Sequence, residues 1–367
     1  MLPPPKRAPV GPPALPKVPG TRLSTAPSRT VFHLGLSPGQ LASRVLTIGD
    51  PKRAALLAQH LTPRACDGGR LLIRSSYRGF TTYTGEFDSV PVSIVSFGMG
   101  SQMIDFLVRE CRDVAPPGPM VIVSYGCAGG LREEVPAGSV SVIDESVLVT
   151  RNPDAWTGGG KRPRTGEGGG GGEGATLNTK FEPLPYRISQ SVQANAYLTK
   201  HLKEHVTRSI GAKRCIQAKG FTTDSFYSSQ GRITKKHFED RNNKLIPEIL
   251  AAHPTGATMD MESFHLLDLS RCAVGPNLIA AGSAVVVVCN RRTGEVADES
   301  LLESDGRAGT ALLRAVASVG IGDIFEGVDI NGDDDDDVGG GSDSSGGSPG
   351  PAEEGAEGGE GGGGRQK

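Results

Sequence analysis

Between Thr222 and Arg232 the chain sets an aromatic ring, a carboxamide and a guanidinium within one short stretch, Thr-Thr-Asp-Ser-Phe-Tyr-Ser-Ser-Gln-Gly-Arg. Gln230 carries both an acceptor and donors and can bond bidentately to the O2/N3–H edge of a pyrimidinedione, whereas Arg232 carries donors only and suits an O4 carbonyl. Phe226 offers a face for such a ring or its sugar. A lone Gln-x-Arg is equally what a polar surface loop contains, so the segment gains meaning only from what accompanies it.

Several other groups have suitable chemistry. Gly49-Asp50-Pro51-Lys52-Arg53 joins a glycine that lets backbone approach an anion to an expected helix N-terminus with free N–H groups, and puts Arg53 in the first turn. The same residues also make an ordinary βα turn with an Asp N-cap. Arg78 reads as a charge at a strand edge, and His33 lies between apolar neighbours in Phe32-His33-Leu34-Gly35-Leu36. Met259-Asp260-Met261-Glu262-Ser263 ends a strand and enters a helix, where Asp260 is placed to cap the helix and meet its dipole. Asn290-Arg291-Arg292-Thr293 follows a long apolar run. His201 and His205 have the spacing of a helical metal pair, but no third ligand is suggested and an exposed helix face is expected. No nucleophile elbow or Cys/His constellation points to covalent catalysis.

Taken in order, these segments resemble the uridine phosphorylases of the nucleoside phosphorylase/nucleosidase superfamily, over roughly residues 31–322. Phe-Tyr-x-x-Gln-x-Arg is that family's base-binding signature, and the resemblance implies base contacts from Phe226, Gln230, Arg232 and Arg291. It implies a phosphate site at Gly49, Arg53 and Cys127, completed by Arg78 reaching across a dimer interface. His33 is implied to cross the same interface to the ribose 5′-hydroxyl, with Met261 and Glu262 against the ribose of their own subunit. Arg53, Arg78, Arg232 and Glu262 form the implied catalytic set. A carboxylate suits the 2′ and 3′ hydroxyls because it only accepts, and charge-assisted bonds to it are strong.

Three departures from the family pattern bear on chemistry. Gly79 replaces a Glu that helps hold a monovalent cation, so no metal site is expected. Asn290 stands at about the place where purine-cleaving relatives have an acidic Asp, which favours a pyrimidine. Ser124 replaces an Arg of the phosphate clamp and Cys127 a hydroxyl, and each lost charge-assisted bond removes roughly 1.5–3 kcal/mol. The implied reaction is phosphorolysis of uridine to uracil and ribose 1-phosphate, with phosphate as co-substrate and no cofactor, in a homodimer or larger homo-oligomer with shared sites. A nucleosidase using water, or a catalytically weak nucleoside-binding or storage protein, remains open.

The 367 residues are 37% hydrophobic and 22% charged, enough for one large α/β domain. Residues 1–30 are Pro-rich and basic without an acidic residue, and residues 329–367 are acidic and Gly-rich; both compositions are expected to be disordered. A Gly-rich insertion at about 157–177 interrupts the catalytic domain of 31–328 as a surface excursion. The net charge of −2 therefore hides a basic arm and an acidic tail. It indicates no nucleic-acid partner, and no run of about 18 apolar residues suggests a membrane span. The six scattered cysteines lack C-x-x-C spacing and mostly fall in apolar stretches, as reduced core residues do. A cytoplasmic location fits, with organelle targeting by the basic arm left open.

The elements needed to position these groups follow from periodicity. Strands are expected at 45–48, 71–83, 90–96, 120–123, 139–149, 257–261 and 278–289, with helices at 51–60, 101–114, 189–206, 263–271 and 307–319. Such alternation predicts an α/β fold, a single mixed twisted sheet, partly barrel-like, flanked by helices on both faces.

Overall fold

The computed structural model describes residues 30–156, 184–233 and 237–325. The basic arm up to residue 29, the Gly-rich insertion and the acidic tail lie outside the described residues. The first βα unit forms as its sequence dictates: β1 (Arg44–Ile48) is a buried run, and Pro51 opens α1 (Pro51–Ala58). A hairpin of β2 (Leu72–Ser75) and β3 (Thr81–Phe87) leads into β4 (Val90–Ser96), and α2 (Ser101–Val114) follows a Gly-Met-Gly turn. The central strands are β5 (Met120–Gly130) and β6 (Val140–Arg151). Next come β7 (Tyr186–Gln193), α3 (Ala196–Ile210) and β8 (Cys215–Thr223). The chain continues through α4 (Leu245–Ala252), β9 (Gly256–Asp260), α5 (Ser263–Arg271) and β10 (Ile279–Asn290) to α6 (Glu299–Ser318) and the short α7 (Ile321–Ile324).

The strands pair in the order β10-β6-β8-β9-β5-β1-β4-β3-β2, and β10 also pairs with β5. That second pairing closes β10, β6, β8, β9 and β5 into a ring, from which β1, β4, β3 and β2 run on as an open wing. β5 lies parallel to both β1 and β10, and such strands are near-continuously apolar because both faces are covered. Alternation along β5 shows this: Val121, Val123 and Tyr125 face a core built with α1, α3 and α6, while Met120, Ile122 and Ala128 face one built with α2 and α5. Helices thus cover both faces of a mixed, partly closed sheet, as periodicity predicts. No helix among the described residues is long and apolar enough to cross a membrane.

Several local expectations change. The run 71–83 is two strands, because the Ser76 hydroxyl accepts from the Arg78 and Phe80 N–H groups and Gly79 takes φ +86°, making a turn. Arg78 sits in that turn, not on a strand edge. Residues 186–193 are strand where helical periodicity is read from 189, because β6 supplies an antiparallel partner; α3 starts only after the Asn195 side chain caps the Leu198 N–H. Periodicity names neither β8 nor α4, and α6 begins at Glu299, earlier than residue 307. Of the six free cysteines only Cys111 and Cys215 are buried, so the core reading holds for those two.

Candidate functional site

Strand ends and their loops converge on a cleft of about 980 Å³. Gly49–Arg53 line it from the β1–α1 turn, Phe97–Met99 from the end of β4, and Gly126–Gly129 from β5. Phe226, Gln230 and Arg232 enter after β8, Met259–Glu262 at the end of β9, and Val288 and Cys289 from β10. Gly49 is required by closeness: a Cβ there would lie 2.5 Å from the Gly98 carbonyl oxygen.

At one end, the Arg232 guanidinium lies 4.1 Å from the centre of the Phe226 ring. Gln230 is 3% exposed and donates to the Thr223 hydroxyl at 3.2 Å. The Arg232 Nε is buried without a hydrogen-bond partner among the described residues, a donor without an acceptor inside this end of the cleft. Arg291 comes in from behind, packing on Gly129 and contacting the Met259 sulfur at 3.5 Å. Burial and then the nearby charge of Arg232 lower its pKa. Two guanidiniums converge here, and an electron-rich ring edge is what they complement.

In the middle lie two adjacent carboxylates with different tasks. Asp260 is buried and accepts from the Thr222 hydroxyl at 2.6 Å, the Ser263 hydroxyl and the Glu262 and Ser263 N–H groups at the start of α5, so it is an internal cap. Glu262 accepts from the Gly100 N–H at 2.7 Å and the Met261 N–H at 3.2 Å. Burial, reinforced by the charge of Asp260, pushes its pKa up to about 7. Met261 lines the cleft beside it.

At the far end Arg53 is already engaged. Its Nη2 donates to Asp305 Oδ1 at 2.8 Å, its Nη1 meets Cys127 Sγ at 3.1 Å, and its guanidinium stacks 4.5 Å from the centre of the Tyr125 ring. Burial opposes the charge of Arg53, but the negative charge of the Asp305 carboxylate and its hydrogen bond help to hold the Arg53 pKa above the ordinary value. Burial raises the Cys127 thiol against the pull of Arg53, leaving a neutral group. The expected free N–H groups of α1 are also taken, since Asp50 Oδ1 accepts from Lys52 and Arg53. Ser124 is buried in the sheet and does not line the cleft.

Most of the residues singled out from sequence thus meet in one place: Gly49, Arg53, Cys127, Phe226, Gln230, Arg232, Met261 and Glu262 line the cleft, with Arg291 behind it. His33 and Arg78 do not. They form a surface cluster of their own, with Arg78 4.9 Å from the centre of the Phe32 ring and Phe32 edge-on to His33. Asn290 does not line the cleft either; its amide donates to the Arg132 and Val135 carbonyls and accepts from the Arg292 and Thr293 N–H groups. Its amide shapes a loop, so the case for a pyrimidine rests on the segment after β8 alone.

Three participants escape sequence reasoning. Asp305 sits in an unremarkable helix, and nothing in its neighbourhood marks it. Tyr125 has a faint signal, being the polar member of the alternating β5 face that meets α6. Glu110 is buried on α2 and accepts from the His33 and Leu34 N–H groups and from His33 Nδ1 at 2.6 Å, while the His33 ring stacks on Phe106.

With this geometry in view, comparison with known proteins is specific. The sequence profile described as "Phosphorylase superfamily" matches residues 43–319. The chain belongs to the phosphorylase superfamily. A solved structure from a study of two uridine phosphorylases of the oomycete Phytophthora capsici is 38% identical, with a TM-score of 0.67 over 79% of this chain and 97% of that one. A Trypanosoma brucei nucleoside phosphorylase, 18% identical at a TM-score of 0.60, shares the fold. In sequence the chain is 23% identical to a Thermococcus kodakarensis uridine phosphorylase across 79% of that protein. It is 30% identical to a Clostridium perfringens DeoD-type purine nucleoside phosphorylase, and spans only 41% of that relative's length. The superfamily match and the 38% identical structure make this chain a pentosyltransferase by family, and its named relatives include uridine and purine nucleoside phosphorylases.

Proposed function

We propose that the cleft cleaves the N-glycosidic bond of uridine with phosphate, giving uracil and ribose 1-phosphate. The observation that carries this reading is the base end, where a buried Gln230, an Arg232 stacked on Phe226 and an orphaned Arg232 Nε present the donors and acceptor that a uracil edge matches. The 38% identity to a structure from a uridine phosphorylase study supports the same substrate.

The chemistry is mainly electrostatic. As the glycosidic bond lengthens, the ribose becomes oxocarbenium-like and the uracil anionic. Arg232, with Gln230, meets the charge that develops on the leaving base, and Arg291 adds a second cation behind it. Glu262 accepts from the ribose hydroxyls and holds the sugar over Met261, fixing the reacting carbon between base and nucleophile. Arg53 lies on the nucleophile side. His33 and Arg78, apart from their own cleft, serve the site of a second copy in a homo-oligomer, His33 toward the sugar and Arg78 toward the anion.

A second reading, with water as nucleophile, is favoured by one specific feature: Asp305 already occupies Arg53. Incubating the purified protein with uridine, with and without phosphate, separates the two. Phosphate-dependent release of uracil with equimolar ribose 1-phosphate is expected. Equal release without phosphate selects hydrolysis, and no release in either condition overturns both.

A further inference from the structure

Groups that hold an anion in an empty cleft are ordinarily left open to it. Here two of them are occupied by the chain's own acids: Asp50 takes the first N–H groups of α1, and Asp305 takes Arg53. Asp305 arrives by a tertiary route. Gly309, one turn further along α6, lets that helix close on α1 and β5; a Cβ there would lie 2.8 Å from Leu57 Cδ1 and 3.4 Å from Tyr125 Cε1. The Tyr125 hydroxyl then donates to Asp305 Oδ1 at 2.7 Å. Burial, aided by the Asp305 charge, raises the Tyr125 pKa well above its ordinary value, so the hydroxyl keeps the proton it donates. Tyr125 thus fixes the carboxylate from the core and also lies under the guanidinium that the carboxylate binds. The side chains of Arg53 and Asp305 are only 15% and 12% exposed, so salt screens the pair weakly.

The geometry points to Asp305 as the residue that sets the anion affinity of the cleft, an internal carboxylate with which an incoming oxyanion must share Arg53. This rests on the reading of Arg53 as the phosphate-facing cation. A dianion drawn to Arg53 meets the negative charge of Asp305 across the same guanidinium, and a neutral nucleophile meets no such opposition. Asp305 therefore tunes the balance between an anionic and a neutral acceptor, and it does so without touching the nucleoside.

The test is calorimetric titration of inorganic phosphate into the full-length protein, its Asp305→Asn variant and its Tyr125→Phe variant. The readout needs no turnover. Asp305→Asn keeps the shape and the hydrogen bond from Tyr125 but removes the charge, and tightens phosphate binding by about tenfold. Tyr125→Phe keeps the ring under Arg53 but leaves Arg53 as the partner of the Asp305 carboxylate among the described residues, and weakens phosphate binding. Loosened packing would weaken binding in both, so the opposite signs are diagnostic. Unchanged or weaker binding by Asp305→Asn overturns the inference, and Asp305→Ser carries the same criterion should the Asn variant fail to fold. If uridine is not cleaved but the phosphate constants shift as stated, the substrate reading falls and this one stands. If uridine is cleaved by phosphate but the constants do not move, the reverse holds.

Discussion

The two ends of the cleft are built on opposite plans. The base end comes from one contiguous segment after β8, backed by Arg291, and it concentrates positive charge with a donor left unsatisfied. The anion end is assembled from the β1–α1 turn, β5 and α6, and its Arg53 is already balanced by Asp305 and its helix N-terminus by Asp50. On the proposed reading, in which the leaving base lies at the first end and the nucleophile enters at the second, this arrangement selects the base strictly and the nucleophile loosely. Preorganised donors act most strongly where they need no rearrangement at the moment of reaction.

That contrast predicts the largest loss at the base end. Arg232→Ala lowers kcat/KM for uridine by about a hundredfold to a thousandfold, because a donor aimed at developing charge is removed. Steady-state kinetics with far-UV circular dichroism to confirm folding checks this, and a wild-type rate in a folded variant rejects the base-end assignment.

The middle of the cleft gives an intermediate effect that depends on pH. Glu262 has its pKa raised to about 7, first by burial and then by Asp260, so below that pH the empty site is protonated. Binding ribose hydroxyls to the carboxylate must first release that proton, and KM for uridine rises by about tenfold for each pH unit below this value. Glu262→Gln, which cannot titrate, has a raised KM at all pH values and no such slope. A KM that is flat from pH 5 to pH 8 in the wild type, a window of about the width that one raised carboxylate spans, contradicts the assignment.

The smallest effect lies at the surface cluster. The buried Glu110 holds His33 Nδ1 at 2.6 Å, so a contact to a sugar in a second copy falls to Nε2. Glu110→Gln weakens that orientation and raises KM for uridine by about threefold to tenfold with little change in kcat, as loss of one charge-assisted bond allows. An unchanged KM removes His33 from the sugar contact.

Legibility in the sequence follows the same division. Phe226, Gln230 and Arg232 are readable because residue type and local spacing suffice to bring them together. The layered α/β architecture is readable too, since the apolar runs of β5 and β10 and the βα turn at Gly49 are local signals. Asp305 is not readable, because its role depends on a helix packing across β5 at Gly309, a contact without local pattern. The N–H groups of α1 were legible as donors, but whether Asp50 or a ligand takes them is decided by the Asp50 rotamer. The strand at 186–193 is obscured for a related reason: its partner β6 lies before the Gly-rich insertion, and pairing across that gap overrides the helical periodicity read there.

The ratio of kcat/KM for uridine over inosine, measured for the wild-type protein and for Gln230→Ala, tests most directly that the base end decides the substrate. The wild-type protein should prefer uridine by about a thousandfold or more, because an unmatched purine edge leaves buried polar groups unpaired, and Gln230→Ala should collapse that preference by losing uridine rather than gaining inosine. Inosine cleaved as efficiently as uridine by the wild-type protein, or a preference unchanged in Gln230→Ala, would contradict it.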